Sequence, residues 1–125
     1  MSHYSVHLIE ELGVPRNHHA IFVKTRSDGT GTLFNVVGDI GNGMELEIKK
    51  LEQEPELSVT FMSSSLLGRV KTDDMSRVEC ICRANPPPEK QFDGPHKIDK
   101  NKPLRRCQEW TSEIIGTLRA EGVLI

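Results

Sequence analysis

No stretch of this 125-residue sequence approaches the roughly 20 consecutive apolar residues that cross a bilayer, so stable membrane insertion is not expected. Residues 1–11 carry His and Glu where a secretory signal needs an unbroken apolar run, which points to a cytoplasmic protein. Basic residues do not cluster either. The 16 Lys and Arg stand against 18 Asp and Glu, a formal charge of -2, so the phosphate-neutralising surface of a nucleic-acid binder is missing. Cysteine is scarce: Cys80, Cys82 and Cys107 are an odd set without framework spacing, which suits free thiols in a reducing compartment. Cys80 and Cys82 lack further Cys or His at zinc spacing, and no metal or cofactor is expected. Gly38, Gly41 and Gly43 lack the lysine and following helix of a phosphate cradle, and read as a turn between strands.

What is present is the balance of one soluble globular domain over 1–125, with 36% hydrophobic and 27% charged residues. Residues 4–10 read as a strand and 13–17 as a loop. Residues 18–24 form a second strand with two largely apolar faces, His18, Ala20, Phe22 and His19, Ile21, Val23, as in the middle of a sheet. The turn signal Ser27-Asp28-Gly29-Thr30-Gly31 leads to a strand at 32–37, an antiparallel hairpin. Residues 44–49 alternate apolar and charged, and 57–62 offer one more strand.

Helical spacing then takes over. Asp73 or Asp74 is placed to cap a helix within 72–85 that carries Met75, Val78 and Cys82 on one face, and Pro86-Pro87-Pro88 stops it. Residues 86–101 read as a long loop, a candidate lid or wall for a site. A last helix runs from about Pro103 to Ala120, closed by Gly122, with Cys107, Trp110, Ile114 and Leu118 on one face. The expected class is α+β: an antiparallel β meander packed against a C-terminal helix carrying Cys107.

A thiol is a strong nucleophile only as thiolate, and a helix N-terminus beside an imidazole favours that form. Cys107 meets the first condition. For the second, His18 opens the strand whose Ala20 and Phe22 face leaves room for a close helix. His19 is a secondary candidate, since its face with Ile21 and Val23 reads as core. His3, His7 and His96 read as surface or loop residues.

His18-His19-Ala20-Ile21-Phe22-Val23, a later strand, and Arg106-Cys107-Gln108-Glu109-Trp110-Thr111 opening a C-terminal helix resemble the His-box and Cys-helix of circularly permuted papain-like proteins. These belong to the NlpC/P60 superfamily, with its lecithin:retinol acyltransferase-like and PPPDE-like groups. The resemblance implies Cys107 as nucleophile, His18 as base and Asn35, in Leu33-Phe34-Asn35-Val36-Val37, as the residue that orients the ring. The acyltransferase group has histidine at the third position and Asn-Cys-Glu-His where this chain has Arg106-Cys107-Gln108-Glu109. The implied activity is hydrolysis or acyl transfer on an amide, ester or thioester of a small-molecule or peptide substrate. The alternative is a non-catalytic binding or regulatory module of the same fold. A hairpin centred on Asp28 and Gly29 sets Asn35 opposite Phe22, away from His18.

Overall fold

Apolar residues at alternate positions, or on both faces, draw the first four strands into one sheet. In the computed structural model, which describes residues 2–13 and 16–125, these are β1 (His3–Glu11), β2 (His18–Lys24), β3 (Gly31–Asp39) and β4 (Gly43–Leu51). They run as an antiparallel meander, and β5 (Phe61–Lys71) returns to flank β1, giving the order β4-β3-β2-β1-β5. Central β2 buries Ala20, Ile21, Phe22 and Val23 in succession, as a strand covered on both faces must. The loop expected at 13–17 falls partly on Val14 and Pro15, outside the described residues.

Two helices cover one face, α1 (Met75–Ala84) and α2 (Cys107–Ala120). Trp110, Ile114 and Leu118 of α2 join Ile21, Val23, Phe34 and Val36 of the sheet and Val78 and Cys82 of α1 in a single core. The fold is therefore α+β, an antiparallel sheet with a C-terminal helix that carries Cys107. Gly122, at φ +71, ends α2 by turning its N–H back to the carbonyl of Arg119.

Four expectations need correction. The helix docks on the Ile21 and Val23 face, not on the Ala20 and Phe22 face, because Ile21 and Val23 present the larger aliphatic surface to Trp110. The fifth strand is 61–71, not 57–62, and Pro55–Leu57 is a 3-10 turn. α2 begins at Cys107, with 103–106 outside the helix and Arg106 extended. Residues 86–101, expected as a lid or wall, do not line the space beside Cys107. They hold a two-residue hairpin, β6 (Phe92–Asp93) with β7 (His96–Lys97), and brace the β3–β4 turn, Pro88 O accepting from Met44 N at 2.8 Å and Ile40 O from Gln91 N at 2.7 Å.

The β2–β3 hairpin is centred one residue earlier than its turn residues suggest, Val23 pairing with Thr32. Asp28 Oδ1 accepts from both the backbone N–H (3.0 Å) and the hydroxyl (2.6 Å) of Thr30, and Gly29 takes φ +93. A Cβ on Gly31 would stand 2.0 Å from Val23 O, so only glycine lets the strands close there. Gly31→Ala is expected to lower stability by about 1–3 kcal/mol, read from the urea midpoint. An unchanged midpoint would show that this approach is not limiting.

Candidate active site

The hairpin register decides whether Asn35 can serve His18. The observed pairs are Ile21 with Phe34, Phe22 with Leu33 and Val23 with Thr32. Extended by one step, that register sets Asn35 opposite Ala20, not opposite Phe22. His18 and Asn35 are then diagonal neighbours on one face, the separation at which longer side chains meet. They do meet, His18 Nε2 lying 2.9 Å from Asn35 Oδ1.

The amide of Asn35 is itself fixed. Its Nδ2 donates to Glu47 O at 3.1 Å and to Glu47 Oε1 at 3.2 Å, on β4 directly across the ladder. With Nδ2 so engaged, Oδ1 must face the ring, and Nε2 carries the proton between them. The other ring nitrogen, Nδ1, is left free of Asn35, and interaction with the Cys107 thiol is the largest cause of the raised His18 pKa. A run of side chains thus leads from Cys107 through His18 and Asn35 to Glu47. Glu47 carried no sequence motif; only the strand register across the Gly38–Gly43 turn reveals it.

Cys107 occupies the first position of α2 and is 7% exposed. Burial alone raises its pKa. Hydrogen bonds from the His18 ring and from the His19 backbone N–H, with the charge of His18, outweigh burial and hold the thiol below the ordinary cysteine range. His18 moves the opposite way. Its bond with Cys107 raises its pKa most, burial opposes, and Asn35 adds to the rise. Both shifts favour thiolate beside imidazolium. Buried Cys82 has no such partner, and burial pushes it up to about 12. The ring of His19 lies 3.9 Å from Glu10 Oε1, so His19 reaches Cys107 only through its backbone.

The start of α2 is anchored to the loop before β2. Arg16 pairs with Glu109 Oε2 at 3.0 Å, Gln108 Nε2 donates to Asn17 O, and Glu109 Oε1 accepts from Arg106 N at 2.8 Å. Farther along, Thr111 Oγ1 lies 3.5 Å from His19 O. Sequence reading left out the contacts of Arg16, Asn17 and His19 with α2 because they join residues more than ninety positions apart. A cleft of about 200 Å³ opens on the thiol, walled by Arg16, Gly38, Ile40, Met44 and Arg106. Among the described residues no group of three or more His, Cys, Asp or Glu could hold a metal ion.

Asn35→Ala removes one hydrogen bond to the ring without touching the thiol. Alkylation of Cys107 near neutral pH is expected to slow up to about tenfold, the worth of one such bond. A rate equal to wild type would mean that packing alone holds the ring.

Among the described residues no helix is long and apolar enough to cross a membrane. Residues 6–125 match the model of a family of unknown function, DUF6540. No curated protein and no solved structure gives a significant match.

Proposed function

Because the chain belongs to the DUF6540 family, of unknown function, its activity has to be argued from the site, and we propose that it is a cysteine-dependent hydrolase or acyltransferase of permuted papain-like design. The observation that carries this reading is the joint placement of Cys107, His18 and Asn35, with the thiol lowered and the imidazole raised.

The substrate is an amide, ester or thioester. The Cys107 thiolate adds to the carbonyl carbon, and the carbonyl electron pair moves onto oxygen. The Cys107 backbone N–H, in the first helical turn where no intrahelical acceptor exists, helps hold that oxyanion. Collapse breaks the bond to the leaving group, which takes its proton from the His18 imidazolium. Neutral His18 then accepts a proton from water or an amine as it attacks the thioester, and Cys107 leaves as thiolate. Asn35 keeps Nε2 protonated throughout and touches no reacting atom. Three free cysteines, Cys80, Cys82 and Cys107, favour a reducing compartment, and the cytoplasm is the proposed location.

The pH dependence follows from the two shifts. Activity falls as pH drops through the lowered thiol pKa, because the nucleophile becomes protonated. It falls again as pH rises through the raised His18 pKa, because the leaving group loses its acid. p-Nitrophenyl acetate tests the first half-reaction: wild type is expected to release p-nitrophenolate in a burst and carry one acetyl group on Cys107, whereas Cys107→Ser carries none. Absence of acetylation in wild type would replace this reading with that of a non-catalytic binding or regulatory module.

A further inference from the structure

The thiol cleft does not end at His18. On the sheet face opposite α2 lies a second cavity of about 650 Å³, within the size range of ligand sites. His18, Gly38 and Met44 line both spaces, so the two join around the end of the sheet. Ile9, Ala20, Leu33 and Leu51 supply the apolar part of the larger one's floor, with Asn35 and Glu47 between them, and Pro55 of the β4–β5 connection lines its far side.

Its charge is one-sided. Glu11, Glu47, Glu52 and Glu54 line it against two cationic groups, Lys49 and the His18 ring at its mouth. None of these carboxylates forms an ion pair with Lys, Arg or His among the described residues. Like charges gathered on a concave wall focus their field into the space between them. A chain lying on that floor gains by burying methylenes and by bringing a positive charge to the rim.

We infer that this cavity is the substrate channel of the thiol site and that it takes a chain with an apolar body and an alkylammonium end. A lysine side chain of a peptide and a free polyamine share that chemistry. The inference rests on the proposed thiol function and adds its substrate class. The reacting carbonyl sits in the small cleft at Cys107, and the cationic part extends past Gly38 toward Glu52 and Glu54.

The test uses N-dodecyl chloroacetamides that end in ammonium, hydroxyl or carboxylate, long enough to follow β3 over the roughly 20 Å from Gly38 toward Gly31, with chloroacetamide itself as the untailed probe. Second-order rates of Cys107 alkylation are measured at low salt. The ammonium-tailed probe is expected to react about tenfold faster than the hydroxyl-tailed one and the carboxylate-tailed one to be slowest. The margin should vanish in the double variant Glu52→Gln, Glu54→Gln, while chloroacetamide reacts alike with both proteins. If that variant does not fold, the same margin should shrink in wild type at about 1 M salt, where screening is nearly complete. Equal rates for ammonium and hydroxyl tails at low salt overturn the channel assignment. A Cys107 no faster toward chloroacetamide than exposed Cys80 overturns the thiol function itself, and the channel assignment with it. If the channel holds, a lysine-rich peptide and spermine, each added as a competitor, tell the two natural sources apart.

Discussion

Alkylation of Cys107 at about pH 6.5 is expected to fall by roughly tenfold or more when His18 is replaced by Ala. An ordinary thiol is only about 1% ionised at that pH, and a lowered one is ionised to a far greater degree. His18 supplies both a hydrogen bond and a positive charge to the sulfur, and burial, which acts against the thiolate, remains after the ring is gone. The variant thiol should therefore titrate in or above the ordinary cysteine range. The gain in intrinsic nucleophilicity that accompanies a higher pKa offsets part of the loss, so the fold-change in rate is smaller than the fold-change in thiolate. Peptide mapping separates Cys107 from exposed Cys80, and Cys82, pushed up to about 12, stays silent as an internal control. A His18→Ala protein with the wild-type rate profile would break the ion pair as an explanation of this site.

Trp110→Ala is expected to cost about 3–5 kcal/mol, the usual toll for truncating a large buried aromatic. Trp110 is 0% exposed at the centre of the core, and its Nε1 donates to Asn85 O at 3.0 Å, tying α2 to the end of α1. Against a total stability of about 5–15 kcal/mol, that loss leaves the domain close to unfolding. Trp110→Phe keeps most of the apolar contact and loses the donor, and should cost much less than the alanine variant. Urea denaturation of the two proteins measures both. A small loss for Trp110→Ala would mean that the core around Ile21 and Phe34 closes over the gap.

The elements legible in the sequence were those whose side chains carried the pattern. β2 and β4 were found within two residues of their ends, and the inward face of α2 was read except for buried Thr111, because Cys107, Trp110, Ile114 and Leu118 repeat at helical spacing. β5 escaped because most of its side chains, including Ser63, Ser64 and Ser65, are exposed. It is a strand by virtue of its backbone bonds to β1, with a bulge at Leu67 and Gly68 that no side-chain alternation encodes. The docking face of α2 was ambiguous for a different reason: both faces of β2 are apolar, so the choice fell to packing.

The candidate site was legible in its residue identities but not in its geometry. Cys107 at a helix start and His18 at a strand start could be named from local pattern. Whether Asn35 meets His18 depends on how the Asp28 turn is wound, a matter of hydrogen bonds from Thr30 and of the bare backbone at Gly31. A slip of a single pair would turn the side chain of Asn35 to the opposite face. Glu47 and the anchors Arg16 and Gln108 are long-range partners that only the assembled sheet and helix define.

The nucleophile and its base are separated by 107 - 18 = 89 positions, and the contacts that unite them are among the most distant in the chain. Nothing local to Cys107 activates it fully: the imidazole, the His19 N–H and the Asn17 anchor all arrive from the other end of the fold. During synthesis the histidine leaves the ribosome long before the cysteine, and the thiol gains its partners only when α2 settles on β2. A nascent or misfolded chain therefore carries three ordinary thiols, and the appearance of one fast-reacting thiol among them is a clock for the last docking event of folding.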